Sequence, residues 1–427
     1  MRTLSDWLGY IESQHPKSID MGLERVREVA TRMQLPHPAR HVITVAGTNG
    51  KGSTVAFIDS IARAAGWRVG AYMSPHLLVY NERVHLEGRE ASDEDLVAAF
   101  QAVDAARCSP PAQIPDIALT YFEFGTLAAL WLFARQDLDL VILEVGLGGR
   151  LDATNIVDAD VAVVTTVDLD HQDFLGNDRE AIGFEKAGIA RAWKPLVLGE
   201  DDPPSSVLRH AYAIGASAVR AGCDYLFEAI DAETWHWREV GFELELPMPR
   251  LAAPAQLRNA ATAIAALRAL DAPVTEAAWR EGIAAAHLPA RLERFVRDGV
   301  DIVVDVGHNP QAARELSRWL RETPITGRTI AVFAALAGKD IEGVVAAVAG
   351  QIDAWYLAGL VEAGPRGLSA GALAARLHAT DARDGEAFNT VAQAMTAARS
   401  KTSPGDRILV FGSFRTAAAA LQAMNDP

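Results

Sequence analysis

Short, almost uninterrupted apolar runs alternate with helical stretches along this chain, and this alternation constrains its fold more than any other feature. In the first half of the chain, the apolar runs are His41–Ala46, Arg68–Met73, Asp139–Val145, Asp160–Val167 and Pro195–Leu198. They are rich in Val, Ile and Leu and do not alternate with polar residues, which is typical of strands covered on both faces. Helical stretches such as Ser53–Ala65 and Tyr121–Arg135 lie between them. The pattern therefore predicts an α/β fold, with a parallel sheet flanked by helices.

A second, similar series begins after residue 300. Its apolar runs are Asp301–Val306, Thr329–Ala335, Trp355–Leu360 and Arg407–Phe411. Pro289 follows the Ala-rich stretch Glu276–Ala286, and a proline at this point breaks a helix and favours a domain boundary. We therefore expect a larger domain over residues 1–288 and a smaller α/β domain over residues 289–427. Residues 200–250 are irregular, and the alternation over Gly241–Leu246 favours a small antiparallel sheet.

Composition excludes several classes of partner. The chain has 40 Lys and Arg against 55 Asp and Glu, a formal charge of −15, which argues against binding to nucleic acid or an anionic membrane. An anionic small substrate stays compatible, because one local positive pocket is enough to bind it. Two cysteines are too few for a disulfide framework or a four-cysteine zinc site. With neither a signal-peptide pattern nor an apolar stretch near the ~20 residues of a membrane helix, we expect a soluble cytoplasmic protein.

A glycine-rich turn between the first apolar run and a helix predicts a phosphate-binding loop. The turn reads Gly47-Thr48-Asn49-Gly50-Lys51-Gly52-Ser53. Its glycines let backbone N–H groups converge on phosphate, the helix N-terminus adds a positive dipole, and Lys51 adds a full charge. The usual P-loop pattern is not met literally, because Val45 stands where its first glycine belongs and Gly52 replaces the Ser or Thr after the lysine. Nucleotide binding is favoured over a glycine-rich turn without a ligand.

Two polar residues follow later apolar runs at the strand ends where open α/β sheets bind ligands. Glu144 comes near the end of one run, and His171 follows the next run along the chain. We expect neighbouring strands to bring both side chains to one crevice beside the P-loop. A carboxylate suits Mg²⁺, whereas a histidine is an unusual ligand for that ion. The alternative for both residues is that they cap loops at the strand ends.

Several further segments, in order along the chain, make a specific resemblance. They are Ser18–Arg25, Ser74–Leu77, Leu143–Asn155, Asp170–His171, Glu185–Ile189 and Asp305–Pro310. Together with the P-loop they resemble the Mur-ligase superfamily, and in particular its folate branch of folylpolyglutamate synthases and bifunctional bacterial dihydrofolate synthases. The resemblance covers nearly the whole chain. It implies a P-loop-containing parallel-sheet ATP-binding domain and a smaller, Rossmann-like C-terminal α/β domain.

The same resemblance implies a set of site residues, with ATP and Mg²⁺ as cofactors. It implies that ATP is bound by Gly47, Thr48, Asn49, Gly50, Lys51, Gly52, Ser53, Asn259, Arg291 and Asp305, with the last three on the far side of the nucleotide from the P-loop. It implies magnesium ligands at Ser74, Glu144 and His171. It implies a pterin pocket lined by Ile19, Asp20, Thr120, Tyr121, Phe122, Glu123, Leu151, Asp152 and Ala153. It implies catalytic roles for Lys51, for His308 and for Lys186, the last as a carbamylated lysine.

Simpler interpretations stand beside some of these roles. Lys186 and its neighbour Glu185 are also typical of a solvated helix face with salt bridges. The segment His308-Asn309-Pro310 is also a capped helix start, with Asn309 as the N-cap and Pro310 as the first helical residue. Arg291 has a surface ion pair with Glu293 as its alternative. The aromatic pair Tyr121 and Phe122 is also explained by core packing, and more readily for Phe122.

The implied reaction is ATP-dependent amide formation through an acyl phosphate. The resemblance is closest to the bifunctional bacterial enzymes, which implies dihydropteroate, reduced folates, L-glutamate and ATP as partners, and a monomer. Within the same chemistry, the alternatives are a folylpolyglutamate synthase alone or a peptidoglycan Mur ligase; the short segment before the P-loop disfavours the latter, which needs a UDP-binding domain. From another class, the alternatives are a P-loop kinase or NTPase and a regulatory ATP-binding module. The kinase or NTPase would more often carry a literal Walker sequence, and the presence of Lys51, Glu144 and His171 disfavours the regulatory module.

Overall fold

The computed structural model describes residues 2–17, 19–108 and 116–425. Ser18, which opens the N-terminal segment of the resemblance, lies outside the described residues. The described chain divides into two compact units, one within residues 1–250 and 257–287 and the other within residues 251–256 and 288–427.

The first unit is built on an eight-stranded sheet and a small three-stranded sheet. Its strands are β1 (His41–Ala46), β2 (Val69–Tyr72), β3 (Val84–Leu86), β4 (Arg89–Glu90), β5 (Leu140–Glu144), β6 (Val161–Val164), β7 (Pro195–Leu198), β8 (Ser217–Arg220), β9 (Tyr225–Ala229), β10 (Thr234–Glu239) and β11 (Phe242–Pro247). The larger sheet has the order β4-β3-β2-β5-β1-β6-β7-β8, and every pair from β2 to β8 in this order is parallel. The predicted α/β class with a parallel sheet is therefore confirmed.

Helices cover the sheet and supply two hydrophobic cores. The helices of this part of the chain are α1 (Leu4–Glu12), α2 (Glu24–Arg32), α3 (Lys51–Ala64), α4 (Asp93–Arg107), α5 (Tyr121–Phe133), α6 (Gln172–Leu175), α7 (Arg179–Ala187), α8 (Ser205–Ile214), α9 (Ala255–Ala269) and α10 (Glu276–Ala285). One core joins α1, α2, α4 and α5 to residues of β1, β2 and β5, with Phe100 and Phe124 fully buried in it. The other joins α7 and α8 to β6 and β7. Burial on both faces explains why the central strands have no polar alternation.

The sheet differs from the prediction at its edges and at one central strand. The hairpin β3–β4 and the strand β8 extend it on either side, and their short, partly exposed segments carry no continuous apolar run. Strand β6 ends at Val164, although the apolar run continues to Val167. At this point the Thr165 N–H donates to the Ala46 carbonyl of β1 at 2.9 Å, and the Thr165 hydroxyl donates to the Asn49 carbonyl in the P-loop at 2.6 Å. The predicted antiparallel excursion is confirmed as the sheet β11-β10-β9, where Trp235 and Trp237 are buried.

The second unit holds a six-stranded sheet in the order β12-β13-β17-β14-β15-β16. Its strands are β12 (Glu293–Arg297), β13 (Val300–Val304), β14 (Thr329–Phe333), β15 (Ala354–Ala358), β16 (Glu386–Phe388) and β17 (Arg407–Phe411), and its helices are α11 (Pro310–Glu322), α12 (Ile341–Val348), α13 (Ala370–Arg376), α14 (Val391–Lys401) and α15 (Phe414–Asn425). All pairs are parallel except β12–β13, and the core packs α11, α12 and α13 on the central strands. The predicted second parallel α/β series is confirmed, while β12 and β16 were not predicted. Of the helices in the described ranges, none combines the length and the apolar character that crossing a bilayer requires.

Candidate nucleotide and metal site

The P-loop joins β1 to α3, as the sequence predicts. Gly47 has φ 155° and Gly50 has φ 85°, the second in the left-handed region that favours glycine. Helix α3 begins at Lys51, so its first N–H groups point toward the loop. The Lys51 ammonium donates to the carbonyls of Gly47 at 3.1 Å and Thr48 at 3.4 Å. Its charge therefore lies directly over the loop that would hold phosphate.

The chain that follows β6 supports the P-loop from the side. The Thr48 hydroxyl donates to the Asp168 carbonyl at 3.0 Å and lies 3.0 Å from the Asp168 N–H, which donates to it. The Thr48 N–H donates to the Thr166 carbonyl at 2.7 Å. A Cβ at Gly47 would lie 1.8 Å from the hydroxyl of Thr165. Glycine is therefore required at this position by close packing as well as by the loop conformation.

Asn259, in α9, lies against the P-loop. A Cβ on Gly50 would lie 2.5 Å from the Asn259 side-chain oxygen, and Asn259 is buried. The structure thus places Asn259 next to the loop and in the same unit, whereas the resemblance groups it with Arg291 and Asp305 across the nucleotide.

Glu144 and Ser74 meet at the end of two adjacent strands. Glu144 is the last residue of β5, and Ser74 follows β2, which pairs with β5 in parallel. The Ser74 N–H donates to the Glu144 carboxylate at 3.0 Å, and Glu144 is only 5% exposed. The peptide bond between Ser74 and Pro75 is cis. The Glu144 carboxylate is therefore held at the strand end next to the P-loop strand β1.

His171 approaches from the other side of the P-loop. It follows β6, and β1 lies between β5 and β6 in the sheet, so Glu144 and His171 flank the loop instead of following adjacent strands as the sequence predicts. His171 has φ 52° and ψ 39°, and its ring nitrogen lies 3.8 Å from the Asp170 carboxylate. Histidine is among the residues that adopt this left-handed conformation more often than most. The conformation ends the loop and starts α6.

This donor set is compatible with Mg²⁺. A carboxylate, a hydroxyl and an imidazole lie on strand ends around a phosphate loop, and Mg²⁺ usually takes one or two carboxylates together with substrate phosphates and water. Within the described ranges, no three His, Cys, Asp or Glu side chains form a metal-binding group. A hydrated ion that shares its coordination with a nucleotide is therefore the kind of metal that these residues suit.

Lys186 is buried near the same edge of the sheet. It lies in the last turn of α7 and is 4% exposed, so the solvated helix face considered from the sequence is wrong for this residue. Burial, and after it the nearby charge of Lys51, lowers the pKa of Lys186 to about 7, although Asp170 and Asp152 oppose the shift. Glu185, in contrast, does form the ion pair expected of that face, with Arg150 at 2.8 Å. A Cβ on Gly149 would lie 2.9 Å from the Lys186 carbonyl, so this glycine lets the turn after β5 pack on α7.

The N-terminal residues of the predicted pterin pocket form one polar network. Thr120 is the N-cap of α5, and its N–H donates to Glu123 at 2.7 Å in a capping box. Arg25 donates to Glu123 at 2.9 Å and to Asp20 at 2.6 Å. Ile19, beside Asp20, is half-buried. Arg25 therefore ties Asp20 to the start of α5.

The remaining predicted pterin residues surround the turn after β5. Phe122 is half-buried, and a Cβ on Gly146 would lie 2.7 Å from its ring. Tyr121 is also half-buried and lies 5.8 Å from the ring of Tyr80. Asp152 accepts the Leu147 N–H at 2.9 Å, and burial raises its pKa to about 6. Its neighbours on either side are Leu151, which is half-buried, and Ala153, which is buried.

In the second unit, three predicted residues lie close together. Asp305 follows β13 and accepts the N–H groups of Leu292 at 2.9 Å and Gly307 at 2.6 Å. Burial raises the pKa of Asp305, while the nearby Arg291 and His308 oppose that shift. The Arg291 guanidinium lies 5.2 Å from the Phe414 ring, and the His308 ring lies 6.1 Å from the same ring.

Side chains bond to the backbone both at the start of α11 and in the turn at residues 290–293. Asn309 caps α11 by accepting the Ala312 N–H at 2.9 Å, and Pro310 is the first residue of α11, so the helix start predicted from the sequence is confirmed. The Glu293 carboxylate accepts the Ala290 N–H at 2.8 Å, and Arg291 donates to the Ala290 carbonyl at 3.2 Å. Both residues thus bind the backbone of this turn.

Three polar residues near the site were missed from the sequence. Arg25 ends the N-terminal motif Ser18–Arg25, and its bond to Glu123 ties that motif to the start of α5. Arg83 is buried and donates to His76 at 2.8 Å. Glu200 follows β7 at the same edge as Glu144, and burial raises its pKa to about 7 against the effect of Arg179. Glu200 could have been found by applying the strand-end rule used for Glu144 to the run Pro195–Leu198.

Two family models match most of the chain. The Mur ligase middle domain matches residues 45–267, and the Mur ligase, glutamate ligase domain matches residues 290–414. The dihydrofolate synthase/folylpolyglutamate synthase of Escherichia coli (strain K12) is 47% identical over 423 residues, covering 99% of this chain and 96% of that protein. The protein of the same name from Haemophilus influenzae is 42% identical and covers 97% of this chain and 96% of its own length.

Solved structures agree with these relatives. E. coli FolC in complex with DHPP and ADP superposes with a TM-score of 0.92 at 46% identity, covering 99% of this chain and 98% of that one. A bifunctional folylpolyglutamate synthase/dihydrofolate synthase with Mn, AMPPNP and L-glutamate bound superposes with a TM-score of 0.90 at 45% identity, with the same coverage. With sequence and fold matching over its whole length, this chain belongs to the dihydrofolate synthase/folylpolyglutamate synthase family of Mur ligases.

Proposed function

We propose that this protein is an ATP-dependent ligase that joins L-glutamate to 7,8-dihydropteroate, giving dihydrofolate, and to reduced folates, giving folylpolyglutamates. The observation that carries the proposal is the edge of the first sheet, where the P-loop lies between Glu144 on one side and the segment leading to His171 on the other. The relatives that match the full chain carry both activities in their names. E. coli FolC binds DHPP and ADP, and a second related structure holds L-glutamate.

The reaction begins with attack of the substrate carboxylate on the γ-phosphate of ATP, which gives an acyl phosphate and ADP. The amino group of glutamate then attacks the acyl carbon, and phosphate leaves through a tetrahedral intermediate. Charge on the transferring phosphoryl group grows during the first step, and groups fixed around it lower the barrier. This route requires no nucleophile from the protein.

Lys51 and the P-loop amides stabilise the charge on the transferring phosphoryl group. In the structure the Lys51 ammonium donates to loop carbonyls, and it turns toward phosphate oxygens when nucleotide binds. Gly50 and Gly47 keep the loop backbone open to phosphate, with Asn259 packed behind Gly50. The remaining loop residues Thr48, Asn49, Gly52 and Ser53 contribute N–H groups and hydroxyls. Arg291 and Asp305 are also proposed to bind the nucleotide, and His308 is proposed to have a catalytic role.

Ser74, Glu144 and His171 are proposed to hold Mg²⁺. When bound, Mg²⁺ neutralises charge on the nucleotide phosphates and orients them for in-line transfer. Glu144 is held for this role by the Ser74 N–H.

Lys186 is proposed to carry a carbamate. The reaction with CO₂ needs the neutral amine, and a pKa of about 7 makes that form abundant at neutral pH. A carbamate replaces a buried cation beside Lys51 with an anion, which removes the repulsion between the two lysines.

The pterin substrate is proposed to bind near Asp20, Thr120, Tyr121, Phe122 and Asp152, together with Ile19, Glu123, Leu151 and Ala153. Tyr121 and Phe122 are half-buried at the start of α5, where Arg25 bonds to Glu123, so apolar rings and polar anchors lie on one helix end, as a pterin site needs. We propose that this site belongs to a larger domain over residues 1–288 and that a smaller domain covers residues 289–427.

The two thiols, Cys108 and Cys223, are not disulfide-bonded, which suits the cytoplasm that we propose as the location.

Omission of single substrates tests the proposed function. With ATP, Mg²⁺, dihydropteroate and L-glutamate present, we expect steady phosphate release, and we expect it to fall at least tenfold when either glutamate or the pteroate is left out, since each transfer needs both acceptors to turn over. A parallel assay with a reduced folate in place of dihydropteroate tests the second activity. If phosphate release is unchanged when glutamate is omitted and also when the pteroate is omitted, the protein is an NTPase and the ligase proposal is wrong. If the protein turns over with the reduced folate and glutamate but not with dihydropteroate and glutamate, the proposed function is restricted to folylpolyglutamate synthesis.

A further inference from the structure

Residues 165–171 connect β6 to His171. The Thr165 N–H still donates to the Ala46 carbonyl of β1 at 2.9 Å, but the backbone groups that follow need partners outside the sheet. On the P-loop side, both peptide groups of Asp168 bond to the Thr48 hydroxyl at 3.0 Å. The residue before it, Val167, is bound on the opposite side. The segment is thus held from two directions at consecutive residues.

The second set of bonds forms a closed ring. The Val167 N–H donates to Glu200 Oε1 at 3.1 Å, and the Val167 carbonyl accepts from Arg179 Nε at 2.8 Å. Arg179 Nη2 donates to Glu200 Oε2 at 3.2 Å and to the Asp202 carbonyl at 2.9 Å. One carboxylate and one guanidinium therefore satisfy both backbone groups of Val167 and pair with each other.

The ring is buried at Val167 and Glu200, which are 1% and 8% exposed, whereas the Arg179 side chain is 41% exposed. Because these two side chains bond the buried backbone groups of Val167, removing one of them leaves a buried polar group without its hydrogen bond. A loss of either side chain would release residues 165–171 from this side.

The ring also joins the turn after β7 to two parts of the chain that carry site residues. Glu200 follows β7, and a Cβ on Gly199 would lie 2.8 Å from the Thr165 carbonyl, so the turn packs directly on the segment. Arg179 is the first residue of α7, whose last turn holds Lys186. Residues 165–171, to which both side chains bond at Val167, lead to His171. A shift of Glu200 or Arg179 would therefore act on the segment that leads to His171 and on α7, which carries Lys186.

We propose that Glu200 and Arg179 are positioning residues that fix residues 165–171 between the P-loop and α7 and so set the affinity of the site for a divalent ion bound with nucleotide. The proposal rests on the proposed function, in which His171 is a magnesium ligand. Neither residue needs to touch substrate. Partners behind metal ligands typically change metal affinity by about 10–100-fold when they are removed.

Binding of Mn²⁺ in the presence of AMPPNP tests the proposal without requiring turnover. Free Mn²⁺ is measured by electron paramagnetic resonance for the full-length protein and for Glu200→Gln, Glu200→Ala and Arg179→Gln. We expect Mn²⁺ to bind about tenfold more weakly to each variant, while ADP measured without metal binds within about twofold of the unchanged protein. The double variant Arg179→Gln/Glu200→Gln should be little worse than either single change, because both remove the same ring.

Asp137→Asn is the matched control. Asp137 pairs with Arg68 at 2.9 Å but is 91% exposed on its side chain, and it precedes β5 at the other edge of the sheet. This variant should bind Mn²⁺ as the unchanged protein does. If Glu200→Ala does not fold, Glu200→Gln keeps an oxygen for Val167 and loses only the ion pair. Unchanged Mn²⁺ affinity in folded Glu200→Gln and Arg179→Gln would overturn the proposal, whereas a protein without ligase turnover that still shows the affinity loss would contradict the proposed function alone.

Discussion

Replacement of Lys51 by Met is expected to lower the rate of ATP-dependent amide formation by about 10³-fold, the effect seen when a fixed charge or donor at a transferring phosphoryl group is lost. Lys51 is the first residue of α3, and its ammonium already lies over the carbonyls of Gly47 and Thr48. Met has nearly the same length and helix propensity, so the change removes the charge and leaves α3 intact. Phosphate release under saturating substrates, with circular dichroism on the same sample, measures both parts of the expectation.

Lys194→Met is the control for this change. Lys194 is half exposed and pairs with Asp160 at 3.0 Å. It precedes β7, and therefore lies at the edge of the sheet away from the P-loop. We expect its rate to stay within about twofold, since exposed ion pairs contribute about 0–1 kcal/mol. A folded Lys51→Met protein with a rate within tenfold of the unchanged one would remove Lys51 from the site.

Replacement of Lys186 by Met is expected to abolish turnover and to make the fold more stable at neutral pH. Turnover should fall about 10²-fold or more, because the proposed carbamate can no longer form next to the metal site. Stability should rise because Lys186 is buried and its pKa is lowered to about 7, which means that the folded state disfavours the charged lysine. The gain is on the order of a few kcal/mol at most. A change that improves stability while removing activity is difficult to explain by misfolding.

The pH dependence of that gain follows from the lowered pKa. In CO₂-free buffer the penalty for burying the charged lysine is fully present below pH 7. Between about pH 7 and the ordinary lysine pKa of 10.5, the unfolded chain holds this proton and the folded chain does not, so folding stability rises with pH from this residue. Urea unfolding should therefore show the largest advantage of Lys186→Met at pH 6 and a shrinking advantage toward pH 10. A constant advantage across this range, or one that Lys194→Met shares, would contradict the assignment.

The central strands and the P-loop could be predicted because their physics is local. Continuous Val, Ile and Leu runs require burial on both faces, and a glycine at φ 85° between a strand and a helix leaves few alternatives to a phosphate loop. The cap at Asn309 and the following Pro310 were predicted for the same reason, since a helix start depends on adjacent residues.

Residues whose roles depend on distant partners could not be found in this way. Lys186 and Glu185 are neighbours in a polar stretch, yet one is buried and the other pairs with Arg150, because α7 packs its last turn against the glycine turn after β5. Strand β6 ends before its apolar run does, and the next residue, Thr165, bonds through its hydroxyl to the P-loop, a partner more than a hundred residues away along the chain. Glu200 can be recognised from the sequence as a strand-end carboxylate, but its partners cannot, because only the fold brings it to Val167 and Arg179.

In the proposed reaction, the carboxylate of the pterin substrate is activated as an acyl phosphate at the edge of the first sheet. Dihydropteroate labelled with ¹⁸O in its carboxylate distinguishes this route from any reaction in which water attacks ATP. In the presence of ATP, Mg²⁺ and L-glutamate, phosphorus NMR or mass spectrometry of the released phosphate should show one ¹⁸O atom from the substrate for each dihydrofolate formed. Formation of dihydrofolate with released phosphate that carries no ¹⁸O from the substrate would contradict the account.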